Sequence, residues 1–220
     1  MKTITEQKPF EEVEKFLEKD RNIYIIGCGT CATLCHTGGK SEVLEMKKRL
    51  QEMGKNVVGW MVIPTACDDL TGEALKEDAD AIQKADAILV MTCAFGVQTV
   101  TAFASDKAVY PALNTLFIGK ESGEVGVFSE ICRQCGDCFL AITGGICPIT
   151  MCAKGLLNGP CGGTRNGKCE EDPERDCAWT LIYKRLERLG RLDAMKKYNP
   201  PRNYQKVKRP GKILVETERS

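Results

Sequence analysis

The sequence predicts an α/β fold. A small doubly wound parallel sheet occupies residues 1–120, a cysteine-rich domain with a C-terminal helix follows over 121–197, and an extended tail covers 198–220. Three observations lead there. Four apolar runs of strand length alternate with helix-like stretches in the first 120 residues, the pattern of a parallel sheet with right-handed crossovers. Eight of the thirteen cysteines fall after residue 130, in a segment whose glycines and polar residues carry no strand periodicity. Between the two parts lies the turn-rich stretch 119–126. At 220 residues and 43% hydrophobic, the chain can bury a real core in one or two domains.

The elements follow in order. Pro9 starts a helix whose Phe10, Val13, Phe16 and Leu17 form one apolar face, placed to cover the sheet or a partner. Strands are expected at 22–27 (NIYIIG), 56–63 (NVVGWMVI), 87–91 (AILVM) and 112–118 (ALNTLFI). Helices are expected at 41–53, closed by Gly54, at 71–84 and at 98–105. Far downstream, Asp172 is read as the cap and Pro173 as the first position of a helix that Gly190 ends. Its apolar stripe is Ala178, Leu181, Ile182, Leu186 and Leu189. The stretch from Tyr198 on is too proline-rich to continue that helix. It is read as a disordered tail or as an arm laid on a partner.

The first cysteine group takes its meaning from the sheet. Cys28 follows the first strand, Cys67 the second and Cys93 the third, so all three belong to the carboxyl edge where open parallel sheets place their ligands. Cys31 and Cys35 complete a C-x2-C-x3-C run and, if helical, lie on one face a turn apart. Thiolate is a soft ligand for iron–sulfur clusters or zinc, and four of these five sulfurs suffice for one four-iron cluster. Cys28 and Cys67 are the candidates for the spare. The radical-SAM spacing, C-x3-C-x2-C, runs the other way round. The same turn also offers Gly27-x-Gly29-x-x-Ala32, a dinucleotide fingerprint. Its acidic partner, Asp68, stands 36 residues past Ala32, where about 20 is usual.

The second group opens with Cys132, Cys135 and Cys138 in CRQCGDC, the start of a bacterial ferredoxin motif. Cys147-Pro148 supplies the motif's closing Cys-Pro, but with eight residues intervening after Cys138 instead of three. Cys152, Cys161, Cys169 and Cys177 are then available for a second tetrad. Eight cysteines fit two four-iron clusters, and spacing does not divide them. A ferredoxin-like metal-cluster domain is therefore expected, with two to three [4Fe-4S] clusters in the whole chain and zinc possible in place of one. Ribbon-type zinc sites pair two close knuckles, and here the only close pair after Cys138 is Cys147 with Cys152. His36, the sole histidine, is read as an incidental loop residue.

Charge and hydropathy exclude several classes. The net charge is +1, which argues against nucleic acid. No apolar run is long enough for membrane insertion. Polar sequence after Met1 and an odd cysteine count argue against a secreted disulfide scaffold and for a cytoplasmic protein. From Ala178 to Lys212 eleven Lys and Arg stand against Glu187 and Asp193, a basic helix and tail.

The block from Cys132 to Trp179, followed by LIYKRLERLGRLD, closely resembles the methylenetetrahydrofolate reductase C-terminal family. GCGTCATLCHTGGKSE and TCAFGVQTV are similar to the companion N-terminal part of MetV-type accessory subunits. The resemblance implies a small accessory subunit beside a MetF-like catalytic subunit that carries FMN and reduces methylenetetrahydrofolate to methyltetrahydrofolate in the Wood–Ljungdahl pathway. The chain itself shows no supported general acid or base and no flavin-phosphate loop. It is therefore expected to relay electrons, from ferredoxin or a larger electron-bifurcating complex, to that FMN without catalysis of its own. A zinc-stabilised docking subunit of the same complex is the alternative, and an NAD(P)H-input subunit a weaker one.

Overall fold

A computed structural model describes residues 2–207 and 209–213, organised as two compact units, Met1–Ser129 and Glu130–Ser220. The first unit contains β1 (Lys2–Gln7), α1 (Phe10–Phe16), β2 (Asn22–Cys28), the single turn α2 (Cys31–Leu34) and α3 (Lys40–Glu52). It continues through β3 (Asn56–Ile63), α4 (Thr71–Glu77), α5 (Ala79–Lys84), β4 (Ala87–Met91), α6 (Ala94–Phe103), β5 (Ala108–Pro111), β6 (Leu113–Glu121) and β7 (Phe128–Glu130).

The fold is mixed α/β around a four-stranded parallel sheet of order β3-β2-β4-β5. Strand periodicity sorts its side chains to two faces. Tyr24, Ile26, Cys28, Ile88 and Val90 pack with Leu75, Ile82 and Val100 from α4, α5 and α6. Ile23, Ile25, Leu89 and Met91 pack on the other face with Val13 and Leu17 at α1 and Val43, Met46 and Leu50 of α3. Helices thus cover both faces, and β4 is buried along its whole length, as a central parallel strand should be. The helix that Pro9 opens lies on the sheet, with Val13 and Leu17 fully buried.

Three expectations are corrected. The run 112–118 is not the fourth parallel strand; that place belongs to β5, an edge strand whose Pro111 has no N–H to leave unpaired. Instead β6 pairs antiparallel with β1 in a separate sheet of order β1-β6-β7, and the strand runs on to Glu121. The single helix expected at 71–84 is two, broken at Asp78, whose backbone leaves helical geometry (φ −124°, ψ 32°) and whose carboxylate accepts a 2.6 Å hydrogen bond from the Tyr24 hydroxyl. The helix expected at 98–105 starts earlier, at Ala94, with Cys93 at its N-cap.

The second unit holds little regular structure. Its elements are α7 (Pro148–Met151), α8 (Ala178–Arg188) and two short 3-10 turns, Leu192–Lys196 and Tyr204–Lys206. Its core is correspondingly small. Cys177, Trp179, Ile182 and Leu186 pack with Ile146, Cys152, Leu156 and Met195. The helix expected from Asp172 begins five residues later. The Asp172 carboxylate accepts from the Glu174 N–H at 3.1 Å and its carbonyl from the Arg175 N–H at 3.0 Å, closing a turn of its own, and Cys177 becomes the N-cap. Gly190, at φ 65°, ends the helix as expected. Leu189 is exposed, so the buried stripe is Ala178, Trp179, Ile182 and Leu186.

The beginning of the tail is neither loose nor held out for a partner. Asn199 exchanges hydrogen bonds with Asn158, and the Arg202 guanidinium donates through one nitrogen to the carbonyls of Cys135 (3.2 Å) and Asp137 (2.7 Å). Lys206 pairs with Asp137 at 2.8 Å. The rest of the tail call, at Lys208 and at 214–220, lies outside the described residues. No helix among the described residues is long and apolar enough to cross a membrane.

Candidate functional site

All thirteen cysteines are free thiols. In the first unit they gather at the carboxyl edge of the parallel sheet. Cys28 ends β2 and is buried; its N–H donates to the Gly38 carbonyl at 2.9 Å, and its sulfur lies 3.2 Å from the Thr30 hydroxyl. Cys93 is the buried N-cap of α6, and Cys67 stands exposed on the turn after β3. Cys31 opens α2, and its sulfur accepts a hydrogen bond from the Thr3 N–H of β1 at 3.4 Å.

Electrostatics show which sulfurs share a neighbourhood. Although Cys67 is exposed as a residue, partial burial of its thiol, and then the charges of Cys93, Cys28 and Cys31, push its pKa up. Like charges that meet at one thiol disfavour its ionised form. Cys35 is not among the charges that raise Cys67, although its sulfur and that of Cys31 both contact the Thr3 backbone. It caps the single turn of α2 one turn after Cys31, and its thiol points to the Thr3 carbonyl at 4.0 Å.

The turn between β2 and α3 explains its glycines by packing. A side chain on Gly27 would meet the Gly38 carbonyl at 2.5 Å, and one on Gly38 would meet the Met91 carbonyl at 1.9 Å. A side chain on Gly29, which a dinucleotide fingerprint would open to pyrophosphate, would meet the Pro64 backbone at 3.2 Å. The helix after it is a single turn. His36 sits in this loop in the left-handed region, at φ 52°.

In the second unit four cysteines border one cavity. Cys152, Cys161, Cys169 and Cys177 all line one small cavity, together with Thr164, Lys154, Glu170 and Trp179. Cys177 draws on the N-terminus of α8. Burial raises its thiol pKa, but the Thr180 N–H, the hydroxyls of Thr180 and Thr164 and the Trp179 N–H outweigh burial and hold it below the usual thiol value. The Cys161 sulfur accepts from the Gly163 N–H at 3.4 Å and touches the Glu170 carboxylate at 3.4 Å, and Lys154 pairs with that carboxylate.

Cys132, Cys135 and Cys138 lie on a loop that bends through Gln134 and Gly136, both in the left-handed region. The Gln134 N–H donates to the Cys132 sulfur at 3.4 Å. Val207 of the tail packs so tightly over Gly136 that a side chain there would meet its methyl at 2.4 Å. Cys147 caps α7, and its sulfur accepts from the Thr150 hydroxyl at 3.5 Å. As the side chains stand, no three of His, Cys, Asp and Glu among the described residues form a group that could hold a metal ion.

Sequence reasoning missed the polar groups around the sulfurs. Thr164 and Thr180 carry no motif, and their role rests on the position of α8. Arg202 was counted only as one charge of a basic tail, and no spacing rule links it to a loop 67 residues away.

Residues 110–205 match the family model described as methylene-tetrahydrofolate reductase C terminal. The match spans less than half of the chain but takes in all eight cysteines of the second unit. No curated protein and no solved structure matches the chain.

Proposed function

We propose that this chain is the iron–sulfur electron-transfer subunit of a methylenetetrahydrofolate reductase complex, of the MetV type, serving FMN on a MetF-like catalytic subunit. The observation that carries the reading is the cavity that Cys152, Cys161, Cys169 and Cys177 line together. Four cysteines around one space, with backbone and hydroxyl donors beside them, are the residue types that a [4Fe-4S] cluster requires. The match to a reductase-associated family over this unit gives the cluster an enzyme to serve.

The same donor chemistry assigns the other sites. With those four cysteines in one set, Cys132, Cys135, Cys138 and Cys147 remain for a second. At the sheet edge, Cys28, Cys31 and Cys93 act on Cys67 and make the third set, with Cys35 left over. Iron–sulfur clusters, when bound, accept and pass single electrons without moving atoms. The chain's own residues do the rest. Thiolates hold the metal, N–H groups of Gly163, Thr180 and Trp179 offset negative charge, and the Lys154–Glu170 pair stands beside Cys161. A low-potential carrier such as ferredoxin, or a larger bifurcating assembly, is the proposed donor, in the cytoplasm.

Iron, acid-labile sulfide and zinc per chain on anaerobically purified protein, with an EPR spectrum after dithionite, test this. About twelve irons with matching sulfide and a reduced-cluster signal are expected. Little iron with one or two zincs would make the chain a zinc-stabilised docking subunit and end the relay reading, because zinc accepts no electron.

A further inference from the structure

Helix α8 turns a row of unmatched cations outward. Its buried stripe, Ala178, Trp179, Ile182 and Leu186, leaves Lys184 and Arg188, four residues apart, together on an exposed face. At Gly190 the chain turns back, with the Arg191 N–H donating to the Leu186 carbonyl at 2.9 Å, and a third exposed cation, Arg191, stands just past the helix end. None of the three is in an ion pair among the described residues, because the acids around them are taken. Glu187 accepts from the Tyr183 hydroxyl at 3.2 Å, Asp176 pairs with Lys168 at 2.8 Å, and Asp193 with Lys196 at 2.7 Å. The helix macrodipole favours cations in the last turn and so accounts for Arg188. It does little for Lys184, a turn earlier, or for Arg191, beyond the end. Tyr183 and Leu189, at the neighbouring positions, are 45% and 43% exposed.

We propose that the ridge of Lys184, Arg188 and Arg191 docks a protein electron carrier with an acidic surface. The inference rests on the iron–sulfur reading above and adds to it the place where the donor binds. Arginines and a tyrosine beside an apolar contact are what protein interfaces favour. Duplex nucleic acid calls for a broader basic field than a chain of net charge +1 offers. Redox partners meet over small, transient surfaces guided by opposite charge, to which a short ridge of cations is suited. Position favours the same occupant. α8 has Cys177 as its N-cap, one of the four cysteines that border the cavity, and Lys184 follows it by about 10 Å along the helix axis. The segments that carry the sheet-edge cysteines, 28–39, 64–72 and 92–99, contain Asp68 and Asp69 and no Lys or Arg. They repel such a carrier and leave the second unit to receive it.

The test uses the full chain, purified anaerobically, with a small acidic [4Fe-4S] ferredoxin as the probe. Affinity is measured by calorimetric titration at about 50 mM and about 300 mM salt. Binding that weakens at the higher salt is expected. The triple variant Lys184→Glu, Arg188→Glu, Arg191→Glu should bind at least about tenfold more weakly at the lower salt. A control with the same change in charge at exposed positions of α3 and α5, Lys40→Glu, Lys48→Glu, Lys84→Glu, should stay within about twofold of the wild type. Should the triple variant fold poorly by circular dichroism, Arg191→Glu alone, outside the helix, should show a smaller loss in the same direction. Equal weakening in the triple variant and the control overturns the ridge, because net charge alone then attracts the probe. Binding of duplex DNA without binding of the ferredoxin assigns the ridge to nucleic acid and overturns the proposal. Full iron content without ferredoxin binding overturns the docking site alone and leaves the relay standing. A wild type that binds the probe but holds no iron ends the relay reading and leaves the ridge in place.

Discussion

Removing Cys35 should leave the iron content of the protein unchanged, while removing any one of Cys28, Cys31, Cys67 or Cys93 should empty one cluster. The contrast comes from where the sulfurs stand. The charges that raise the Cys67 thiol come from Cys93, Cys28 and Cys31, so those four share one neighbourhood at the sheet edge. Cys35 follows Cys31 by one helical turn, and its sulfur is turned to the Thr3 carbonyl at a distance too long for more than a weak contact. A half-buried thiol in such a contact contributes less than about 1 kcal/mol, so Cys35→Ala should fold normally. The loss in each of the other four variants is the content of one cluster, about four irons and four sulfides per chain. Metal analysis and spin quantitation after dithionite read this directly. Circular dichroism separates ligand loss from misfolding, which is a concern mainly for the buried Cys28 and Cys93. Loss of about four irons in Cys35→Ala, with full iron in Cys28→Ala or Cys67→Ala, would refute the assignment.

Three further outcomes follow from the packing. Tyr24→Phe should cost about 1 kcal/mol at neutral pH by removing the 2.6 Å bond to Asp78. Burial, and then the bond to and the charge of Asp78, push the Tyr24 phenol well above its ordinary value. Its contribution is therefore complete below about pH 10, the unfolded phenol's pKa, and is lost as the pH rises beyond it. Urea midpoints of the two proteins should converge in that alkaline range, and a constant gap would disprove the assignment. Ile182→Ala, at a fully buried site in the small core around α8, should cost about 2–5 kcal/mol and loosen that helix first, as hydrogen exchange would show. Gly136→Ala forces a side chain into the left-handed region and onto Val207, so the tail from 199 should become sensitive to limited proteolysis while the first unit stays resistant.

The parallel sheet was legible because β2, β3 and β4 are unbroken apolar runs bounded by turn residues, and the edge cysteines followed from their ends. What escaped were elements whose signal lies in a partner. β1, KTITEQ, has a single apolar residue, Ile4, and becomes a strand only by pairing with β6. The run 112–118 has the same composition as a parallel strand, and only that pairing sets its direction. Asp172-Pro173 is a well-formed helix start by local chemistry, yet the Asx turn uses those same groups first and hands the cap to Cys177. Among the sites, the cysteines were legible as residue types and spacings. Their grouping was not, because the cavity around Cys177 joins Cys152, Cys161 and Cys169 through loops that follow no period. Arg202 was out of reach for the same reason, since its contacts depend on a tail folding back over 67 residues of chain.

The proposed ligation would also account for how the second unit holds a shape at all. Apart from α8 it is built of turns, and its buried apolar side chains are few beside the two cores that flank the parallel sheet. Burial of that extent is little to set against the conformational entropy of ordering about ninety residues. Small units of this kind use disulfides or metals as staples, and here the eight cysteines are free thiols. Metal binding would then be folding energy for this unit and a local event for the first, whose sheet is packed on both faces without it. Iron removal by an anaerobic chelator should therefore abolish amide protection in α8 and around Cys161 while β2 and β4 keep theirs. Equal loss of protection in both units would place the stability of the sheet under metal control as well. Retention in both would mean that apolar packing alone sustains the cysteine-rich fold.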